Sequence, residues 1–123
     1  MIIEVKNLTT NKISEEFLIG IAKKALAREN KKMGELSIVL VGSGRMKALN
    51  SKYRNKNRPT DVLSFQYGED GEIVICLPEV KKNAKKIKST FQKELAWVLI
   101  HGILHILGYN HKDMQGKENK YLS

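Results

Sequence analysis

The chain has 123 residues, of which 41% are hydrophobic and 28% charged, and this composition indicates one globular domain over residues 1–123. Lysine and arginine number 22 against 13 acidic residues, and the net charge of +9 favours an anionic partner, nucleic acid ahead of a membrane. The single cysteine excludes an intramolecular disulfide. No signal-peptide pattern opens the chain and no apolar stretch is long enough to span a bilayer, so we expect a cytoplasmic protein.

The first half of the chain predicts alternating strands and helices. The opening "MIIEVKN" is rich in isoleucine and valine and predicts a strand, after which Ser14 is expected to cap a helix. A buried strand is predicted for "ELSIVLVG". The segment "SGRMKALNSKYR" predicts a helix whose inner side carries Met46, Leu49 and Tyr53.

The second half predicts a hairpin followed by two helices. "DVLSFQY" and "EIVIC" are strand-like and are joined by "GEDG", whose glycines suit a hairpin turn. Pro78 fits the first turn of the next helix, and Ser89 with Gln92 has capping-box spacing for a last helix that stops near Gly108. Together the elements predict a mixed α/β fold, with a single-layer mixed sheet of about four strands packed with helices.

All three histidines of the chain lie in "HGILHILGYNH", residues 101–111. His101 and His105 are four residues apart and share one helix face, while Gly108 allows a chain reversal that brings His111 to the same point. The helix is apolar nearly all round, and buried imidazoles need partners. We therefore expect a zincin-like metal helix that holds one Zn²⁺ with an open fourth position, although other divalent transition metals also suit imidazole. Ordinary core or surface histidines are the alternative.

The spacing of the histidines is also that of the metzincin peptidases, H-E-x-x-H-x-x-G-x-x-H. Gly102 occupies the position of the peptidase's catalytic glutamate, so peptide hydrolysis is disfavoured. Phosphodiester cleavage builds negative charge that a guanidinium group stabilises, and "YRNKNRPTDVLSF" offers Arg54 and Arg58 for this purpose. Spacing alone does not choose between the two arginines.

Four further features of the sequence support less specific predictions. Thr60 and Asp61 are candidates to shape the cleft near Arg54, with capping of a turn as the alternative. Glu94 lies two helical turns before His101 and is a candidate to face the site, although a position at the surface or at the edge of the core is favoured. Cys76 is expected to be a small buried strand residue. The basic run "KKNAKKIKST" fits an RNA-phosphate contact or a solvated helix face equally well.

The histidine segment resembles the H-G-x-L-H-L-x-G-Y-D-H signature of the YbeY family of bacterial endoribonucleases. "YRNKNRPTDVLSF" resembles a second motif of this family, and "GEIVIC" resembles its G-D-I-V-I strand. The resemblance implies a mixed α/β fold, a bound zinc ion and cleavage of single-stranded RNA. It also implies a role in 3′-end maturation of small-subunit 16S ribosomal RNA and in ribosome quality control. Its expected partners are single-stranded or ribosomal RNA and the small ribosomal subunit, with neither membrane nor DNA.

The resemblance also assigns the site residues. The family's metal ligands fall on His101, His105 and His111, and its functional arginine falls on Arg54, so these four residues form the expected catalytic set. Two residues depart from the family's motifs. Asn110 replaces the usual aspartate just before His111, and Glu72 replaces the aspartate of the G-D-I-V-I strand. Two alternatives stay open at this point: a ribosome-associated RNA-binding factor with a structural metal, and a metallopeptidase, which Gly102 disfavours.

Overall fold

The computed structural model describes residues 2–29 and 33–108, and within them four strands form one sheet. The strands are β1 (Ile2–Asn7), β2 (Glu35–Val41), β3 (Val62–Tyr67) and β4 (Asp70–Cys76). Their order is β1-β2-β4-β3; β1, β2 and β4 are parallel, and β3 pairs antiparallel with β4. The mixed four-stranded sheet expected from the sequence is therefore confirmed.

Four helices in the same residues cover the two faces of the sheet. They are α1 (Glu15–Arg28), α2 (Ser43–Arg54), α3 (Leu77–Lys86) and α4 (Phe91–Ile106). Helices α1, α3 and α4 enclose the larger core against one face, whereas α2 packs on the opposite face. Successive side chains of a strand point to opposite faces of the sheet, so the strands contribute residues to the cores on both sides. Buried residues of the larger core include Leu18, Leu36, Ile38, Ile73, Leu77, Leu99 and Ile103.

Helix α4 lies at the centre of the larger core. Its Val98, Leu99, Ile103 and Leu104 are fully buried, because the helix contacts α1 and α3 as well as strands β3 and β4. This explains why its sequence is apolar on nearly every side. Among the helices in residues 2–29 and 33–108, none combines the length and apolarity that a membrane span requires.

The start of α4 differs by one residue from the sequence prediction. Thr90 is the N-cap, and its Oγ1 accepts a hydrogen bond from the backbone N–H of Lys93 at 3.1 Å. Ser89 instead donates its backbone N–H to the carbonyl of Ala84 at 2.8 Å. Ser89 is therefore part of the end of α3, and the expected cap at this residue is wrong.

The starts of α1 and α2 follow the sequence, but one side chain of α2 does not. Ser14 caps α1, since its Oγ accepts from the N–H of Phe17 at 3.2 Å. In α2, Met46 is buried as expected, whereas Tyr53 is 54% exposed. Tyr53 lies at the rim of the sheet with its ring edge-on to Phe65, the ring centroids being 5.1 Å apart. The small core under α2 ends before it reaches Tyr53.

Candidate active site

His101 and His105 line one small cleft together with Arg54. The histidines are one turn apart on α4, the arginine comes from the last turn of α2, and the cleft has a volume of about 170 Å³. We name it the histidine cleft; its other lining residues are Thr60, Asp61, Val62 and Ser64. The structure thus brings together three of the four residues expected from the sequence. His111 lies outside the described residues, as does Asn110.

The two histidines are held by different parts of α4. The indole of Trp97, one turn before His101, stacks on its imidazole with a centroid distance of 5.2 Å and an interplanar angle of 24°. His105 lies in the last turn, and its carbonyl accepts the N–H of Gly108 at 3.1 Å. Gly108 has φ +90°, a conformation that favours glycine and ends the helix where the sequence predicts.

The donors in the histidine cleft fit a transition-metal ion. Two imidazoles at positions i and i+4 lie on one helix face, which is the usual arrangement of a chelating pair. Within residues 2–29 and 33–108, no three His, Cys, Asp or Glu side chains form a metal-binding group. A third protein ligand would have to come from outside these residues, and the sequence predicts His111 for this position.

The close packing of α4 against the sheet explains why residue 102 is a glycine. A Cβ atom at this position would lie 3.0 Å from Cγ2 of Ile73 and 3.2 Å from Oγ of Ser64, so the glycine faces the sheet. The Ser64 hydroxyl also donates to the Gly102 carbonyl at 3.3 Å. A glutamate here would clash with β3 and β4. The glutamate of the metzincin motif therefore has no room at this position, which further disfavours a peptidase.

Arg54 and Arg58 differ in what they line, although the sequence does not separate them. Both arginines border a neighbouring groove, but of the two only Arg54 also borders the histidine cleft. The loop that joins them is tied to α2, because the side-chain amide of Asn50 donates to the Arg58 carbonyl at 2.8 Å. It is tied to β4 by Cys76, whose N–H donates to the Asp61 carbonyl at 2.8 Å. These two anchors fix the wall of the cleft.

A groove of about 410 Å³ adjoins the histidine cleft and carries most of the nearby positive charge. We name it the basic groove; Arg54, Thr60 and Asp61 line both it and the histidine cleft. Of the lysine-rich run in the sequence, Lys82 and Lys86 line the groove. An extended anion that lay in the groove would therefore reach the two histidines. The cationic residues of the groove are Arg54, Lys56, Arg58, Lys82 and Lys86.

Trp97 is a site-related residue that the sequence did not single out for function, and Glu94 is one for which the sequence indicated such a role only weakly. Glu94 is 7% exposed, which fits the expected edge of the core rather than the surface. Burial raises the pKa of its carboxyl group, and the nearby Asp61 carboxylate raises this pKa further. A signal was present in the sequence: Glu94, Trp97 and His101 are three and four residues apart, so they follow one face of an otherwise apolar helix.

Several curated proteins that resemble this chain are described as endoribonuclease YbeY. The family model for endoribonuclease YbeY matches residues 3–122. An endoribonuclease YbeY from Carboxydothermus hydrogenoformans is 36% identical over 98% of this chain and 94% of its own length. One from a Sulfurihydrogenibium species is 37% identical over 87% of this chain and 76% of its own. The solution structure of TM1509 from Thermotoga maritima superposes with a TM-score of 0.69 at 35% identity, covering 97% of this chain and 87% of that one. The chain therefore belongs to the endoribonuclease YbeY family and is an enzyme of that class.

Proposed function

We propose that this chain is a metal-dependent endoribonuclease that cleaves single-stranded RNA. It acts in the cytoplasm, in 3′-end maturation of 16S ribosomal RNA and in ribosome quality control, with the small ribosomal subunit as partner. One observation carries the catalytic part of the proposal: Arg54, His101 and His105 line a single cleft that opens onto the basic groove. Family membership supports RNA as the substrate. The motif resemblance in the sequence supports the ribosomal role.

The histidines would hold the metal ion. His101 and His105 line the cleft with nitrogen ligands that suit Zn²⁺, and His111 would supply the third. When bound, the ion supplies Lewis-acid polarisation of the phosphate that reacts. The stacked indole of Trp97 restricts rotation of the His101 ring and so keeps its nitrogen directed at one position.

Arg54 would bind the phosphate that is cut. Its guanidinium group presents paired N–H donors that match two phosphate oxygens, and negative charge on these oxygens increases in the transition state. The remaining cations of the basic groove would hold flanking phosphates without reading the base sequence. Because the histidine cleft is small, a flexible single strand enters it more readily than a stiff duplex.

The test compares metal content and RNA cleavage in matched variants. Purified protein is assayed on single-stranded RNA, duplex RNA and a peptide, with bound metal quantified for each sample. We expect Arg54→Ala to lower kcat by about 10²–10³-fold, the usual effect of removing one transition-state donor, with unchanged metal content. His105→Ala should lower both metal content and cleavage, because it removes a ligand.

Arg45→Ala is the matched control. Arg45 is an exposed arginine on the same helix as Arg54 and does not line either the histidine cleft or the basic groove. The Arg45→Ala variant should cleave RNA at the wild-type rate. Intact single-stranded RNA in the presence of fully metallated wild-type protein would favour a ribosome-associated RNA-binding factor with a structural metal. Peptide turnover would favour a peptidase.

The ribosomal role needs its own substrate. A 16S precursor transcript with an unprocessed 3′ end is incubated with the protein in the presence and absence of small subunits. We expect cuts near the mature 3′ end and cosedimentation of the protein with the subunit. Efficient cutting of unrelated single strands without any preference for the precursor would limit the proposal to a general ribonuclease.

A further inference from the structure

A second cavity lies beside the histidine cleft and is not used by the proposed reaction. It has a volume of about 570 Å³, within the range of about 300–1,000 Å³ typical of small-molecule pockets. We name it the side pocket; it lies between α3, α4 and the loop before β3. Trp97 and Ile87 supply apolar surface, and Ile87 is 63% exposed. Its polar lining consists of Asp61, Asn83, Lys86, Ser89, Lys93 and Glu94.

The side pocket is continuous with both parts of the proposed site. Asp61 lines all three cavities, and Asn83 and Lys86 line both the side pocket and the basic groove. The Trp97 ring faces His101 at a centroid distance of 5.2 Å. A stacked nucleic-acid strand advances about 3.4 Å per nucleotide and more when extended. The pocket therefore lies within about one or two nucleotides of the histidines.

The charges divide the two larger cavities between phosphate and base. The basic groove has five cationic side chains against the two carboxyl groups of Asp61 and Glu79, and this excess of positive charge favours phosphates. The side pocket balances the carboxyl groups of Asp61 and Glu94 against Lys86 and Lys93 next to apolar surface. It therefore lacks the excess positive charge of the groove and suits a flat group with hydrogen-bonding edges. Aromatic walls stack on nucleobases in most single-strand-binding proteins.

Glu94 is the polar group best placed to read such an edge. Its side chain lines the pocket at 7% exposure, and in the part of the chain that the structure describes its carboxyl makes no hydrogen bond or ion pair. A carboxyl group that lines a cavity without a protein partner is available to hydrogen-bond a ligand there. Asn83 donates to Asp61 at 3.5 Å, so this carboxylate orients the neighbouring amide.

We propose that the side pocket binds one nucleobase of the RNA strand, next to the phosphate that is cut, with Trp97 and Ile87 against its faces and Glu94 and Asn83 at its edge. This inference rests on the proposed function, because it takes RNA as the ligand. It makes the pocket the part of the enzyme that selects which phosphate enters the histidine cleft.

The test uses a set of labelled single-stranded RNA oligonucleotides of one sequence, each with an abasic ribose at a different position. Fluorescence anisotropy gives their affinities, and initial cleavage rates give kcat/KM. Loss of one stacked base costs about 1–3 kcal/mol, which corresponds to about 5- to 150-fold. With wild-type protein we expect an effect of this size at a single position beside the cut.

Ile87→Ala tests the pocket without disturbing the core, because the side chain is largely exposed. In this variant the intact oligonucleotide should bind more weakly, and the abasic substitution beside the cut should lose most of its effect. Leu8→Ala is the control, since Leu8 is another exposed aliphatic residue and lies outside the side pocket. It should reproduce the wild-type pattern. Glu94→Gln should change the preferred base at that position.

Failure of this inference is distinguishable from failure of the proposed function. If wild-type protein cuts RNA but abasic substitution has the same effect at every position, the base site is wrong and the nuclease stands. If no oligonucleotide is cut but anisotropy still shows one sensitive position that depends on Ile87, the base site stands and the nuclease is wrong. Unchanged RNA binding and cleavage by Ile87→Ala would assign the pocket to another type of ligand.

Discussion

Asp61 is the residue at which the three cavities of the site meet. Its carboxylate accepts from the Thr60 hydroxyl and from the Asn83 amide, both at 3.5 Å, and its own carbonyl is tied to β4. It also raises the pKa of Glu94 across the side pocket. Asp61 is therefore hydrogen-bonded to both α3 and β4. In the described residues it makes no hydrogen bond to Glu94, and it acts on that buried carboxyl group through its charge.

Glu94→Gln should alter how the stability of the protein depends on pH. The pKa of Glu94 is raised in the folded chain, first by burial and then by Asp61, above the unfolded value of about 4.3. The folded state therefore binds this proton more tightly. The resulting stabilisation is complete below the unfolded pKa and is lost as pH rises through the folded pKa. Glutamine is neutral at every pH and does not lose this stabilisation. We therefore expect the Tm of the variant minus the Tm of wild type to increase as the pH rises from 4 to 8.

Thermal unfolding at several pH values measures this difference. Glu69→Gln is a suitable control, because Glu69 is exposed in the hairpin turn between β3 and β4. It removes the same formal charge without changing a buried group, so its difference from wild type should vary little with pH. A Glu94→Gln difference that stayed constant over the same range would contradict a raised pKa at this residue.

At the scale of elements, the contact between α4 and the sheet sets the position of the two histidines. Gly102 allows the helix to approach β3 and β4 closely. We expect Gly102→Ala to destabilise the protein, since overpacking a core costs about 1–3 kcal/mol and exceeds the helix-propensity gain of about 1 kcal/mol. RNA cleavage should fall as well, because a shifted α4 moves His101 and His105 relative to Arg54.

Gly20→Ala provides the matched comparison in denaturant unfolding. Gly20 is an exposed glycine within α1, and a Cβ atom there meets no atom within 4 Å. Alanine should therefore stabilise the chain by up to about 1 kcal/mol at this position without changing cleavage. Equal stabilisation by the two substitutions would show that α4 moves away from the sheet at little cost.

Much of this architecture follows from local sequence patterns, and the errors have local causes as well. Helical spacing predicted α2 because its apolar residues repeat regularly, yet Tyr53 is exposed since the core beneath that helix is short. Capping-box spacing favours Ser89, but the backbone N–H of this residue bonds to the last turn of α3, and Thr90 is the cap. Such outcomes depend on where neighbouring elements stop, which spacing alone does not show.

The site was predictable to the extent that its residues belong to continuous motifs. His101 and His105 share one helix face by their spacing, and the family resemblance points to Arg54, which lines the same cleft. The side pocket was not predictable. It is formed by the packing angle between α3 and α4 and by the loop that carries Asp61, and these are long-range features.

At the scale of the whole molecule, the net charge of +9 is concentrated in part at the basic groove. RNA binding should therefore weaken with salt. Five phosphate contacts on a single strand would give a slope of log K against log salt concentration of about −3.5, at about −0.7 per contact. We expect Lys82→Ala to make this slope shallower by about 0.7 in binding titrations, independent of RNA sequence.

Lys23→Ala is the control for this measurement. Lys23 is exposed on α1 and does not line the basic groove. If removal of Lys23 changed the slope as much as removal of Lys82, the positive charge would act diffusely over the surface. The groove would then not be the path of the phosphate backbone.

Cys76 is the only cysteine of the chain, and it lies fully buried where β4 ends and α3 begins, beneath residues of α2. Burial raises the pKa of its thiol, which keeps the sulfur in its unreactive protonated form. Oxidants and alkylating reagents therefore reach this thiol only when α2 separates from the sheet. We expect the folded enzyme to be insensitive to thiol oxidation and to form no disulfide-linked dimer.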